Sequence, residues 1–225
     1  MPFDFEPLWL SIELAAITVA ILLAVGTPIA WWLARTRSRL RVAVEAVVAL
    51  PLVLPPTVLG FYLLLMLGPG GPLGGLLLSV TGSSLTFSFE GLVFASTIYS
   101  LPFVVQPVQG AFEAVGRGPL EAAFALRARA FDAFFTVVVP MARRGFITGG
   151  VLGFAHTLGE FGVVLMVGGN IPGETRLISI AVFEHVETLN YPAAHALSAT
   201  LLGFCFLVLL TVYAVNRRFP VHAGR

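Results

Sequence analysis

The chain has 225 residues, 57% hydrophobic and 11% charged, with a mean hydropathy of +0.93. A soluble domain carries roughly 25% charged residues, so that class is excluded. The apolar runs are continuous rather than alternating, which excludes a membrane barrel and leaves a polytopic helical membrane protein.

The net charge of +1 identifies no partner, because charge is segregated along the chain. There is no Lys. Twelve of the thirteen Arg fall into three clusters: Arg35, Arg37, Arg39 and Arg41; Arg117, Arg127, Arg129, Arg143 and Arg144; Arg217, Arg218 and Arg225. Arg176 stands alone. Positive charge near span ends is kept on the cytoplasmic side, so the clusters predict an outside N-terminus, an inside C-terminus and an outward-facing Arg176 segment.

In chain order, the acidic start with Asp4 and Glu6 lacks the basic region of a cleaved signal peptide. Five spans of about 20 residues each are predicted. The first covers 8–34. The second, 42–67, contains Pro51, Pro55 and Pro56, which remove backbone donors and should kink or break it. A Gly/Pro-rich external loop follows over 68–90. The third span is 91–113, with Pro102 and Pro107 inside. The fourth is 145–167. After an external loop over 168–193, with a short amphipathic stretch at 177–189, the fifth span runs 194–216. No internal repeat or soluble domain is evident, and 1–225 reads as one all-α membrane domain.

Segment 114–144 differs. It carries five Arg with Glu121 and Asp132, yet also Phe124, Phe131, Phe134 and Phe135. It is too polar to span and too apolar to be a loose linker. Pro119 suits the start of a helix and Glu121 its positive end. A short helix with an apolar face must dock on something, either the membrane surface or a partner.

Several chemistries are missing. There is no GxxxxGK[ST] phosphate loop and no Lys to fill one, so ATP binding is not expected. No His/Cys/carboxylate set has metal spacing, and no metal or cofactor is expected. The single Cys205 permits no intrachain disulfide. No Arg lies deep in a span, so an anion path would rely on broken-helix N-termini instead.

Glu121-Ala122-Ala123, with Pro140 nineteen residues after Glu121, resembles the EAA loop of permease subunits of bacterial ABC importers. The family usually has Gly where this chain has Arg127, six residues after the Glu. Leu50-Pro-Leu-Val-Leu-Pro-Pro-Thr-Val-Leu-Gly-Phe-Tyr62, Leu158-Gly-Glu-Phe-Gly162 and Gly169-Asn-Ile-Pro-Gly-Glu-Thr-Arg176 resemble the molybdate/sulfate group of that family. The resemblance implies a type I importer fold in the bacterial inner membrane, embedded in lipid. It implies a homodimer, a cytoplasmic ABC ATPase pair and an extracytoplasmic oxyanion-binding protein, with no nucleic acid. Molybdate, with tungstate, is the implied cargo, and sulfate or thiosulfate the alternative. ATP hydrolysis would sit on the separate ATPase. Glu121, Ala122, Ala123, Phe124, Arg127, Phe131 and Pro140 would couple to it, with Phe124 and Phe131 filling its groove.

Glu160 is an ionisable group well inside a span, with His156 four residues earlier on the same face. The pair reads either as part of a gate or path or as a polar clasp between helices. Pro55, Pro56 and Thr57 either free backbone groups toward a path or merely kink the helix. Gln106 and Gln109 line a pore or bond between helices. Glu45 and Glu113 read as interfacial charges, and His185 and His195 receive no role. Two other classes compete. An intramembrane enzyme would need a third catalytic group or ligand beside His156 and Glu160, which a metal assay tests. A scaffold would couple no solute to ATP hydrolysis.

Overall fold

The computed structural model describes residues 5–217. Arg218 and Arg225, and the acidic start at Asp4, lie outside the described residues. Eleven helices make up the fold: α1 Glu6–Arg35, α2 Leu40–Val53, α3 Pro56–Leu67, α4 Pro72–Thr81, α5 Phe89–Val115, α6 Gly118–Ala125, α7 Ala130–Met141, α8 Arg143–Leu158, α9 Gly162–Gly168, α10 Ile178–Glu187 and α11 Tyr191–Arg217. Four apolar stretches are long enough to cross a membrane: Glu6–Arg35, Pro56–Val80, Phe89–Val115 and Tyr191–Thr211. The bent pair α8 and α9, with 61° between them, makes a fifth.

Two expectations change. The second span, expected over 42–67 with a kink or break at its prolines, is broken and differs in its bounds. It breaks at Leu54 and Pro55, because consecutive prolines at 55 and 56 offer no N–H to the preceding turn. The span-length apolar run starts at Pro56 and continues into α4, in the segment expected to be loop. Pro72 at the head of α4 and the Leu-rich stretch behind it favour helix over the flanking glycines.

α5 is the central element. Ser88 Oγ accepts from Gly91 N at 3.1 Å and caps its start, and Gly116, at φ +67°, ends it. α1 and α8 pack on α5, and α9 packs between α3 and α5. At the loop end the core is Leu22, Leu33, Val104, Val108 and Phe112, all fully buried. Toward the far end Leu14, Leu92, Val164 and Ile180 do the same. In lipid such clusters hold by close packing rather than by water exclusion.

The segment that follows α9 is tied to α1. Ser11 Oγ accepts from Ile178 N at 2.9 Å and donates to Pro7 O at 2.7 Å. Arg176 pairs with Glu184 across the loop, and Asn170 Nδ2 donates to the same carboxylate at 2.9 Å. The Asn170 bond, then Arg176, holds the Glu184 carboxyl below the usual carboxylate range against partial desolvation.

Candidate functional site: the α6–α7 loop and the broken-span cavity

The first site is the loop of α6 and α7. α6 starts at Gly118 with Pro119 in its first turn, and Glu121 sits there too. The helix ends in a Schellman turn: Arg127 N donates to Phe124 O at 2.9 Å and Ala128 N to Ala123 O at 3.0 Å. The residue after the cap must be left-handed, and Arg127 has φ +64°. The Arg thus adopts the shape that a Gly would take without strain. α7 then runs through a π-helical turn, Phe134–Val138, past the exposed Pro140.

The loop has two faces. Phe124 and Phe131, 45% and 73% exposed, line a groove of 790 Å³ together with Leu23, Pro28, Trp31 and Phe134. Both rings border a groove that α1 of their own chain also lines, and both remain exposed. Trp31 anchors this side, with ring centroids 5.1 Å from Phe112 and 5.0 Å from Phe134. The Arg35 guanidinium stacks over Trp31 at 4.3 Å and donates to Gly116 O at 2.8 Å, pinning the start of the loop to the end of α1. Away from the groove stand Glu121, Ala122, Leu126 and Arg127, all exposed; Ala123 is buried. Leu126, 84% exposed, is the residue that sequence reasoning missed. Its signal was its place beside the turn that Arg127 makes.

The second site is the break between α8 and α9. A cavity of 610 Å³ opens there, and Pro56, Thr57, Tyr99, His156 and Glu160 are on its wall. Four of the five predicted path residues thus meet; Pro55 is outside the lining and forms the N-cap of α3. α9 approaches α3 so closely that a Cβ on Gly162 would lie 2.8 Å from Pro56 Cβ. The break exposes the Glu160 carbonyl, which accepts from Ser179 Oγ at 2.6 Å.

The expected His156–Glu160 pair is divided. His156 Nδ1 bonds Ser100 Oγ at 2.9 Å, Ser100 Oγ bonds Thr157 Oγ1 at 2.8 Å, and Phe103 stacks on the imidazole at 3.9 Å. His156 is therefore a satisfied interhelical clasp. Glu160 is not. It is 3% exposed, and neither carboxylate oxygen has a partner. The buried Ser96 hydroxyl is the polar group set beside that carboxyl.

Gln109 bonds between helices: its Nε2 donates to Glu45 Oε1 at 2.9 Å and Glu113 Oε1 at 3.2 Å. Arg41 pairs with the same two carboxylates at 2.8 and 2.7 Å. Glu45 and Glu113 thus form a network with Arg41 and Gln109. Gln106 lines a small cavity of 300 Å³ beside it. Among the described residues no group of three or more His, Cys, Asp or Glu is placed to hold a metal ion.

The sequence matches the family described as binding-protein-dependent transport system inner membrane component over residues 26–220. The chain belongs to that family. Among its relatives, the molybdenum transport system permease protein ModB of Azotobacter vinelandii is 61% identical over 96% of this chain and 95% of its own. The sulfate transport system permease protein CysT of Salmonella typhimurium is 34% identical over 92% of this chain and 74% of its own. Among solved structures, the MetNI methionine ABC transporter in an inward-facing form superposes with a TM-score of 0.74. It is 16% identical and covers 96% of this chain and 95% of that one, a likeness of fold. The all-helical type I importer permease architecture expected from the sequence is thus the architecture found, and this permease is a multi-pass inner-membrane protein.

Proposed function

We propose that this permease is the membrane-spanning subunit of an ATP-driven importer carrying molybdate, and tungstate with it, into the cytoplasm. The observation that carries the reading is the 61% identity to a molybdenum permease over nearly the whole of both chains. Two copies would share one path, since five spans enclose a guarded path poorly. An ATPase pair would bind each loop, with Glu121, Ala122, Leu126 and Arg127 at the contact and the exposed rings of Phe124 and Phe131 beside them. An extracytoplasmic binding protein would deliver the oxyanion. With no Lys in the chain and no Arg inside a described span, selectivity would rest chiefly on that protein. ATP-driven closure of the ATPase pair would draw the loops together and open the path outward; hydrolysis would reset it.

The test is ATP hydrolysis by the reconstituted complex with its binding protein. Molybdate is expected to stimulate it and sulfate to do so weakly. Stimulation by sulfate alone would move the chain to the sulfate branch and leave the importer reading in place. Orientation is tested by single cysteines. Ser38→Cys should label only from the cytoplasm and Glu174→Cys only from outside. Thr175 is unsuitable, being fully buried with its hydroxyl on Gly168 O. Labelling of Glu174→Cys from the cytoplasm would overturn the topology.

A further inference from the structure

The groove between α1 and the α6–α7 loop is deep along the span. On α1 its wall runs from Trp31 back to Leu23, eight residues or about 12 Å at 1.5 Å per residue. Half of a bilayer's hydrocarbon core is about 15 Å. The groove therefore has the depth of one leaflet, measured from the loop end. It also opens sideways, because Ala24 and Pro28 on the same wall are exposed. The wall is apolar except for Thr27 and the Trp31 indole, and Thr27 Oγ1 donates back to Leu23 O of its own helix.

The rim is positive. Arg35 lies one turn beyond Trp31, with its guanidinium over that ring. One of its nitrogens is spent on Gly116 O, which leaves other N–H donors of the guanidinium free to bond. Arg117 and Glu121 are its charged neighbours, two cations to one anion, and Arg117 is exposed. An apolar slot one leaflet deep with arginines at its mouth matches the two parts of an acidic phospholipid. Basic pockets between spans are where such headgroups bind. A soluble ATPase could cover Phe124 and Phe131 but could not reach Leu23, twelve residues or about 18 Å from the end of α1. A second copy of the chain would bring arginines to the same end, not the missing anion.

We propose that this groove binds an anionic phospholipid, one acyl chain lying along α1 from Trp31 to Leu23 and the phosphate at Arg35 and Arg117. The lipid would then fill the space between span and loop that the chain itself leaves open.

The test uses the permease with its ATPase in nanodiscs of phosphatidylethanolamine. Each preparation carries the same small fraction of a probe lipid with a diazirine on its acyl chain, either phosphatidylglycerol or phosphatidylcholine. After illumination, mass spectrometry locates the adducts. The phosphatidylglycerol probe should label the segments 23–31 and 124–131 about fivefold more than the phosphatidylcholine probe, the preference that one arginine at a membrane surface supplies. Unlabelled phosphatidylglycerol should compete, and inorganic phosphate should not. Arg117→Gln should remove most of the preference and leave labelling by the phosphatidylcholine probe as it was. Ala24→Trp, which fills the slot from an exposed position, should abolish groove adducts from both probes. Equal labelling by the two probes in the wild type overturns the anionic class. No groove adduct from either probe gives the groove to the ATPase or to a second copy and overturns the site altogether. An unchanged preference in Arg117→Gln removes the phosphate from Arg117, and persistent adducts in Ala24→Trp remove the chain from the slot. If a variant does not assemble, the wild-type comparison decides. None of these outcomes bears on the importer reading, which molybdate-stimulated ATP hydrolysis tests separately.

Discussion

The loop and the cavity invert each other. At the loop, apolar side chains stand exposed: Leu126 at the turn, Phe131 over the groove. At the cavity, polar side chains are sealed among helices, with the Glu160 carboxyl beside the Ser96 hydroxyl. Both arrangements are locally unfavourable. The exposed apolar side chains suit a partner surface outside the single chain, whereas the carboxyl is sealed within it. The comparison teaches that in this fold the functional places are those where the ordinary rule of burial is broken, in opposite senses at its two ends.

The largest expected effect breaks the loop side. Leu126→Asp should cut recovery of the ATPase with the permease by about tenfold or more, as loss of a central apolar contact does. The isolated permease should melt as before, because an exposed side chain contributes within about 0.5 kcal/mol. Undiminished recovery would show that the turn is not the contact.

Gly162→Val strikes the cavity side. Its side chain would collide with Pro56, so α3 and α9 must separate, at about 1–3 kcal/mol. Thermal unfolding in detergent measures it, and an unchanged midpoint would show that the two helices are not so closely apposed.

Arg127→Gly sharpens the loop. Removing a left-handed Cβ relieves about 1 kcal/mol, partly offset by a freer unfolded chain. Equal or slightly higher stability with intact coupling is expected. Lost coupling in an assembled variant would mean that the Arg side chain itself is read by the ATPase.

The smallest effect lies in α10, at Glu184. The folded-state pKa of Glu184 is depressed, first by Asn170 and then by Arg176. Its contribution is therefore present above the unfolded carboxylate range, near about 4.3, and is lost as pH falls through the lower folded value. Melting of wild type and Glu184→Gln should differ slightly at pH 7 and converge in acid. A gap that persists in acid would assign the effect to packing.

Much of this was legible in the sequence. The spans followed from hydropathy, and the loop from an Arg-rich segment that kept its phenylalanines. His156 and Glu160 stood out as polar groups at helical spacing, but the spacing assumed one helix. The break at Glu160 and Phe161 carries no proline to announce it, so the division of the pair could not be read. α4 was hidden because its glycines were weighed above Pro72 at its head and the leucines behind it. Which face of α6 looked outward depended on where Trp31 and Arg35 sit, a contact between residues roughly eighty positions apart.

α8 meets α5 along Gly145, Gly149 and Gly153, where any side chain would strike Pro107 O, Val104 O or Val104 Cγ2 within 3.0 Å. Two helices in backbone contact have no compliant layer between them. At about 1.5 Å per residue α8 spans roughly 24 Å, with Arg143 beside the loop at one end and Leu158 beside the break at the other. A tilt imposed at the first end arrives at the second undiminished, as in a rigid crank. The rod ends at the short segment Gly159–Phe161, so the 61° bend that closes it falls where the buried carboxyl of Glu160 stands.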